Sequence, residues 1–332
     1  MTTYETLYKE FVGPLELTCL PGLHSAALAG NAYKVEEYLS QGQNVDVCGG
    51  NYGTPLHAAA INGDIETASL LIDKGANINA IGTAYYGSPL QTAAMIGNDA
   101  IVSLLLAEGA NINASGAEGY GTPLQSAARS GHLTIVWLLL QKSADINSPE
   151  KHPEGTALHA AALHGHEDIV KLLLHKGASI NAECKKFGTP LQAAASHKDE
   201  EVALTLTKLL LAKGASINAK ECGSAGNALT AAVTYEHEKV VQLLLESGAD
   251  VNATGGEYGS PLCAAAVCEQ VSIAKLLRQN GAEIDKRLED LGGTAKYADW
   301  NKDENMKQFL RAYGSAWIAN RNGTNKMSIQ NQ

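Results

Sequence analysis

No stretch of this sequence approaches the roughly 20 consecutive apolar residues that a membrane-spanning helix needs. The N-terminus, MTTYETLYKEFVGPLEL, has no uninterrupted apolar core of the kind a secretory signal carries. Positive charge is also scarce. Lys and Arg number 25 against 35 Asp and Glu, for a formal net charge of −10. That balance argues against a partner recognised by counterion displacement, such as a nucleic-acid backbone, and against a polybasic membrane patch. Neutral or basic partners are easier to accommodate. The six cysteines, Cys19, Cys48, Cys184, Cys222, Cys263 and Cys268, contain no CxxC pair. They are too sparse for a disulfide scaffold, so a reducing intracellular setting is expected, cytoplasmic or nuclear. The phosphate-cradling GxxxxGK[ST], a GxGxxG placed between strand and helix, and the GxSxG nucleophile elbow are all missing. No cofactor and no metal site are expected.

What the sequence does have is repetition. At 45% hydrophobic and 18% charged it has the composition of a folded chain, and 332 residues alone suggest two or three domains. The repeats overrule that count. GTPLHAAA at 53–60 recurs as GSPLQTAA, GTPLQSAA, GTALHAAA, GTPLQAAA, GNALTAAV and GSPLCAAA, with weaker copies, PGLHSAAL and GTAKYADW, at the two ends. The aligned positions are 21, 54, 88, 122, 156, 189, 227, 260 and 294, with spacings between 33 and 38. Each copy leads through an Ala-rich stretch to an apolar run such as IVSLLLAEGA, then to GANINA or GADVNA. Pro belongs in the first turn of a helix, where its missing N–H costs nothing. The alanines allow close packing, and the Leu triplet gives a second helix a wide apolar face. A following Gly supplies a left-handed cap, and the Gly/Asn-rich remainder reads as a turn or hairpin. A single unit cannot bury its Leu face, so neighbours must stack.

The T-P-L-H-x-A element at a period near 33 resembles the ankyrin-repeat family, and the YGTPLQ style is similar to fungal ankyrin arrays. The resemblance covers residues 21–317. It implies an all-α solenoid of about nine helix-turn-helix units with short β-hairpin fingers. Residues 1–20 would cap the array, with Leu7 and Phe11 facing inward, and 318–332 would form a flexible tail. It also implies that hairpin tips and inner helices recognise partners, most often without catalysis.

The stretch GTALHAAALHGH, residues 155–166, concentrates three histidines. His159 shares its slot with His24 and His57, and with Gln91, Gln125 and Gln192. In the resembled family this side chain ties a hairpin to the next unit. His166 shares its slot with His132 and His237. Both slots read as framework. His164 does not repeat except as His197. The two positions before the turn, which the resemblance points into a concave groove, are Met95-Ile96, Arg129-Ser130, Leu163-His164, Ser196-His197, Thr234-Tyr235 and Val267-Cys268 in the central and later units. Tyr52, Tyr86, Tyr120, Phe187 and Tyr258 precede the T-P-L frames and would wall that groove. Tyr and Arg are frequent anchors of recognition surfaces. The expected function is therefore a scaffold that binds a protein or peptide through Met95, Ile96, Arg129, His164, His197, Tyr235 and the hairpin aromatics.

An alternative stays open, in which the groove is a pocket for a small organic molecule. His164 or His197 would then act as general base or acid, Tyr235 as proton donor and Arg129 as an anion stabiliser, for isomerase, cyclase or lyase chemistry. A pocket that only binds a metabolite is a third reading. Irregularities gather in the same region. Thr189 and Gly214 lie 25 residues apart where the other full units have 21, which places about one extra helical turn at the start of a second helix. The unit at 227 also loses its Pro.

Overall fold

A Thr or Ser followed by Pro can satisfy the orphan amides at a helix start, and here it does so repeatedly. The computed structural model describes residues 22–49, 53–82, 87–115, 121–148, 155–219 and 223–283. In it Thr54 stands extended ahead of α3 (Pro55–Asn62), and the Thr54 and His57 side chains each satisfy the other's backbone N–H. The same reciprocal cap opens α5 (Pro89–Ile96), α7 (Pro123–Ser130), α9 (Ala157–Leu163) and α11 (Pro190–Ala195). The remaining inner helices are α1 (Gly22–Leu28), α13 (Ala228–Thr234) and α15 (Pro261–Val267). Each is followed by an outer helix. In order these are α2 (Ala32–Ser40), α4 (Ile65–Asp73), α6 (Asp99–Ala107), α8 (Leu133–Gln141), α10 (Glu167–His175), α12 (Glu200–Ala212), α14 (Glu238–Glu246) and α16 (Val271–Gln279).

The chain divides into two segments, Met1–Ala178 and Ser179–Gln332. In the first, α1, α3, α5, α7 and α9 pack in sequence, and so do α2, α4, α6, α8 and α10. In the second, α11, α13 and α15 form one row and α12, α14 and α16 the other. Among the described residues this is a solenoid of paired helices, with isolated bridges Gly49–Gly53, Cys184–Gly188 and Gly255–Gly259 marking hairpin fingers. Of the repeat's apolar residues, Leu56, Leu71, Leu90, Ile101, Leu105, Leu124, Ile135 and Leu139 are fully buried. Each contributes roughly 1.5–3 kcal/mol of transfer free energy. No described helix is long and apolar enough to cross a membrane.

A second ladder, of hydrogen bonds, runs through the N-x-N and D-x-N turns. The first Asn or Asp folds over its own loop, and the second reaches the next unit. Asn79 Oδ1 accepts the Asn111 N–H at 2.8 Å, and Asn113 Oδ1 accepts that of Asp145 at 2.9 Å. In the second segment Asn181, Asn218 and Asn252 accept from Ser216, Asp250 and Glu283 in the same way. Replacing Asn113 with Ala removes one rung and is expected to cost about 1 kcal/mol, read as a lower urea midpoint with no change in far-UV circular dichroism.

The longer spacing in the unit at 189 takes the form of one longer helix. α12 has 13 residues where α10 and α14 have 9, and Asp199 caps it by accepting the N–H groups of Glu201 and Val202. Where the unit at 227 lacks Thr-Pro, Asn227 takes over and its Oδ1 accepts the Thr230 N–H at 2.8 Å. The expected cap over 1–20, the final unit from 294 and the tail from 318 lie outside the described residues, as do Tyr52, Tyr86 and Tyr120.

Candidate functional site

The positions expected to face a groove stand at or just after the ends of the inner helices, and histidines of the following units hold the carbonyls of Met95, Arg129 and His197. In the first segment Met95 and Ile96 close α5, Arg129 lies in the last turn of α7, and His164 caps α9. All four are half-buried. His132, which precedes α8, donates from Nε2 to the Met95 carbonyl at 3.0 Å. His166, which precedes α10, donates from Nε2 to the Arg129 carbonyl at 2.9 Å. The His164 ring lies against the His166 ring, 6.5 Å between centroids and 20° between planes. His132 and His166 thus fix the backbone at two of the expected groove positions, Met95 and Arg129. Burial pushes the His132 pKa down, against the opposing pull of the Met95 bond and of Asp99, so its ring is neutral near pH 7.

The other framework slot behaves as its repetition suggests. His24 donates to the Gly53 carbonyl at 2.8 Å and His57 to the Gly87 carbonyl at 2.9 Å. Gln125 donates to the Gly155 carbonyl at 2.7 Å, and Gln91 to that of Gly121. His57 is fully buried, and its pKa is pushed down to about 4, chiefly by burial. The Thr54 N–H points at His57 Nδ1, so the neutral ring with its proton on Nε2 fits both bonds.

In the second segment His197 is only 8% exposed. Its Nδ1 accepts the Asp199 N–H at 3.0 Å, and its carbonyl accepts a bond from His237 Nε2 at 2.6 Å. Its equivalence to His164 holds in the alignment but not in the surroundings. α11 ends at Ala195 and Ser196 caps it, so His197 already belongs to the turn. Tyr235 caps α13, is 44% exposed and leans on His237 with 6.1 Å between ring centroids. Cys268 takes the corresponding place after α15. Burial, with a smaller push from Glu236, raises its thiol pKa, and burial likewise raises the Tyr258 phenol. Phe187 is half-buried in its hairpin, with the Lys186 ammonium 4.8 Å from its ring centroid.

A cavity of about 270 Å³ lies in the second segment among Ile217, Asn218, Asn227, Leu229, Asp250 and Thr254. Neither His197 nor Tyr235 lines it. Among the described residues no three His, Cys, Asp or Glu side chains gather as metal ligands. Sequence reasoning missed the backward reach of His132, His166 and His237, which precede α8, α10 and α14, and the asparagine ladder. Both left a signal, since the histidine fills that slot in three units and the asparagine recurs in the turn after most outer helices.

A family profile described as ankyrin repeats (3 copies) matches residues 23–116, 83–150, 115–184, 182–255 and 203–288. No curated protein sequence matches the chain. Among solved structures, the human ASB11 ankyrin repeat domain is similar at 30% identity and a TM-score of 0.56, over 69% of this chain and 99% of that one. With most of its length matched by the profile, the chain belongs to the ankyrin-repeat family.

Proposed function

We propose that the chain is a scaffold that recognises a protein or peptide through the ends of its inner helices. The observation that carries this reading is the row Met95, Ile96, Arg129 and His164, with the Met95 and Arg129 carbonyls held by His132 and His166. Successive packed helices stand roughly 8–10 Å apart, so an extended segment can meet one position after another. The row changes from apolar to a guanidinium and an imidazole. A segment with apolar side chains followed by a carboxylate complements it, since Arg binds carboxylates through two parallel bonds. A surface fixed in advance spends less ordering entropy on binding. In the second segment Tyr235, Phe187 and Tyr258 offer aromatic anchors of the kind found at interface hot spots. Ankyrin repeats generally serve as protein-interaction scaffolds, which supports the same reading.

Selection of displayed peptides against the intact chain tests this. Selected binders are expected to carry an acidic residue next to apolar ones, and to lose at least about tenfold in affinity on Arg129→Glu or Met95→Asp, with the melting temperature unchanged. Binders indifferent to both changes, or a selection that returns none, overturn the proposal.

A further inference from the structure

In the first segment side chains of two kinds stitch neighbours together, those reaching forward from the inner helices, such as His57 and Gln125, and those reaching backward from the start of the outer helices, Asn98, His132 and His166. The backward reach depends on glycine. At Gly97 a Cβ would lie 2.5 Å from the His132 ring, and at Gly131 a Cβ would lie 2.6 Å from the His166 ring. Both glycines have positive φ, so they provide the turn and clear the path of the next unit's histidine at once.

The seam between α13–α14 and α15–α16 keeps the bonds of Asn252 to Gly281 and Glu283 and that of the Glu257 N–H to the Ser224 carbonyl, but it lacks both of these side-chain stitches. Glu236 fills the glycine slot at φ 62, one of three non-glycine residues with positive φ among the described residues. A real Cβ now stands where the histidine of the next unit would lie. That next residue is Gln270, which is buried, and neither its Nε2 nor its Oε1 has a hydrogen-bond partner. The forward stitch is missing as well. Thr230 stands in the slot of His57 and Gln125 but is too short to reach a neighbouring hairpin, and its buried hydroxyl has no partner. The seam after α7, by contrast, keeps both stitches, Gln125 to Gly155 and His166 to Arg129. Buried polar groups without partners oppose burial, and left-handed φ at a residue with a side chain adds strain.

We infer that this seam is a built-in opening point, at which α15 and α16 detach together while α13 and α14 stay folded. Tyr235 lies on one side of it and Cys268 and Tyr258 on the other, so opening exchanges a closed surface for an adaptable one. Local opening of this kind proceeds by contiguous cooperative units. The inference stands whatever the surface binds.

Amide hydrogen exchange on the full chain tests it. Residues 261–279 are expected to exchange as one group, at least about tenfold faster than 228–246. Fast exchange alone would also fit ordinary fraying, so the deciding measurement uses variants. The double change Glu236→Gly with Gln270→His rebuilds the backward stitch and is expected to slow exchange in 261–279 by about tenfold, with 228–246 unaltered. Thr230→Gln rebuilds the forward stitch independently and is expected to act in the same direction. Equal protection on both sides of the seam in the native chain, or no response to either repair, overturns the inference.

Discussion

Replacing His57 with alanine is expected to lower the free energy of unfolding by about 3 kcal/mol, whereas His57→Gln is expected to cost less than about 1 kcal/mol. The imidazole is fully buried. It accepts the Thr54 N–H, which caps α3, and donates to the Gly87 carbonyl, which ties the unit at 54 to the one at 88. Alanine leaves the Thr54 N–H without that acceptor, removes one of two bonds to the Gly87 carbonyl, and opens a void between units. The other bond to Gly87, from the Gly82 N–H, remains, which keeps the loss below that of a fully orphaned carbonyl. Glutamine makes both contacts elsewhere in this chain. Gln125 Oε1 accepts the Thr122 N–H, and its Nε2 donates to the next hairpin. Chemical denaturation at pH 7 separates the two outcomes, and equal losses for Ala and Gln would show that the slot acts by volume alone.

Acidification from pH 7 to pH 4 is expected to destabilise the native chain by several kcal/mol, with about 3 kcal/mol of that removed in His57→Gln. Burial holds the His57 ring neutral down to about pH 4, while the unfolded ring takes up a proton near pH 6.5. Between these values the unfolded state binds the extra proton, so stability is complete above about pH 6.5 and declines as pH falls toward 4. His24 and His132 are shifted in the same direction, again chiefly by burial, and they steepen the decline. Glutamine keeps the bonds without a titrating group. Urea titrations at pH 7, 6, 5 and 4 give the slopes. Parallel curves for the native chain and His57→Gln would refute the assignment of the acid sensitivity to this ring.

Much of the fold is legible because its rules are local and repeat. Thr54-Pro55 and its copies fix helix starts, the Leu triplets fix a buried face, and the shared slot of His24, His57 and Gln125 announces a framework role. The extra turn of α12 follows from counting between Thr189 and Gly214. The candidate site is less legible. His164 and His197 align residue for residue, yet His164 caps its helix against His166, while His197 falls into the turn and bonds to the Asp199 amide. The difference arises because α11 stops one residue earlier than α9 relative to its start, which no pattern within the unit signals.

The sequence by itself determined the repeat, the helix pairs, the apolar core and the acidic balance of the chain, because propensity, capping and hydrophobic period act over a few residues. Only the tertiary structure decided which histidine clamps which helix end, how each asparagine spans to the next loop, and that Glu236, Gln270 and Thr230 together leave one seam without its two side-chain stitches. Those contacts join residues 30 to 40 positions apart, and stacking alone brings them together.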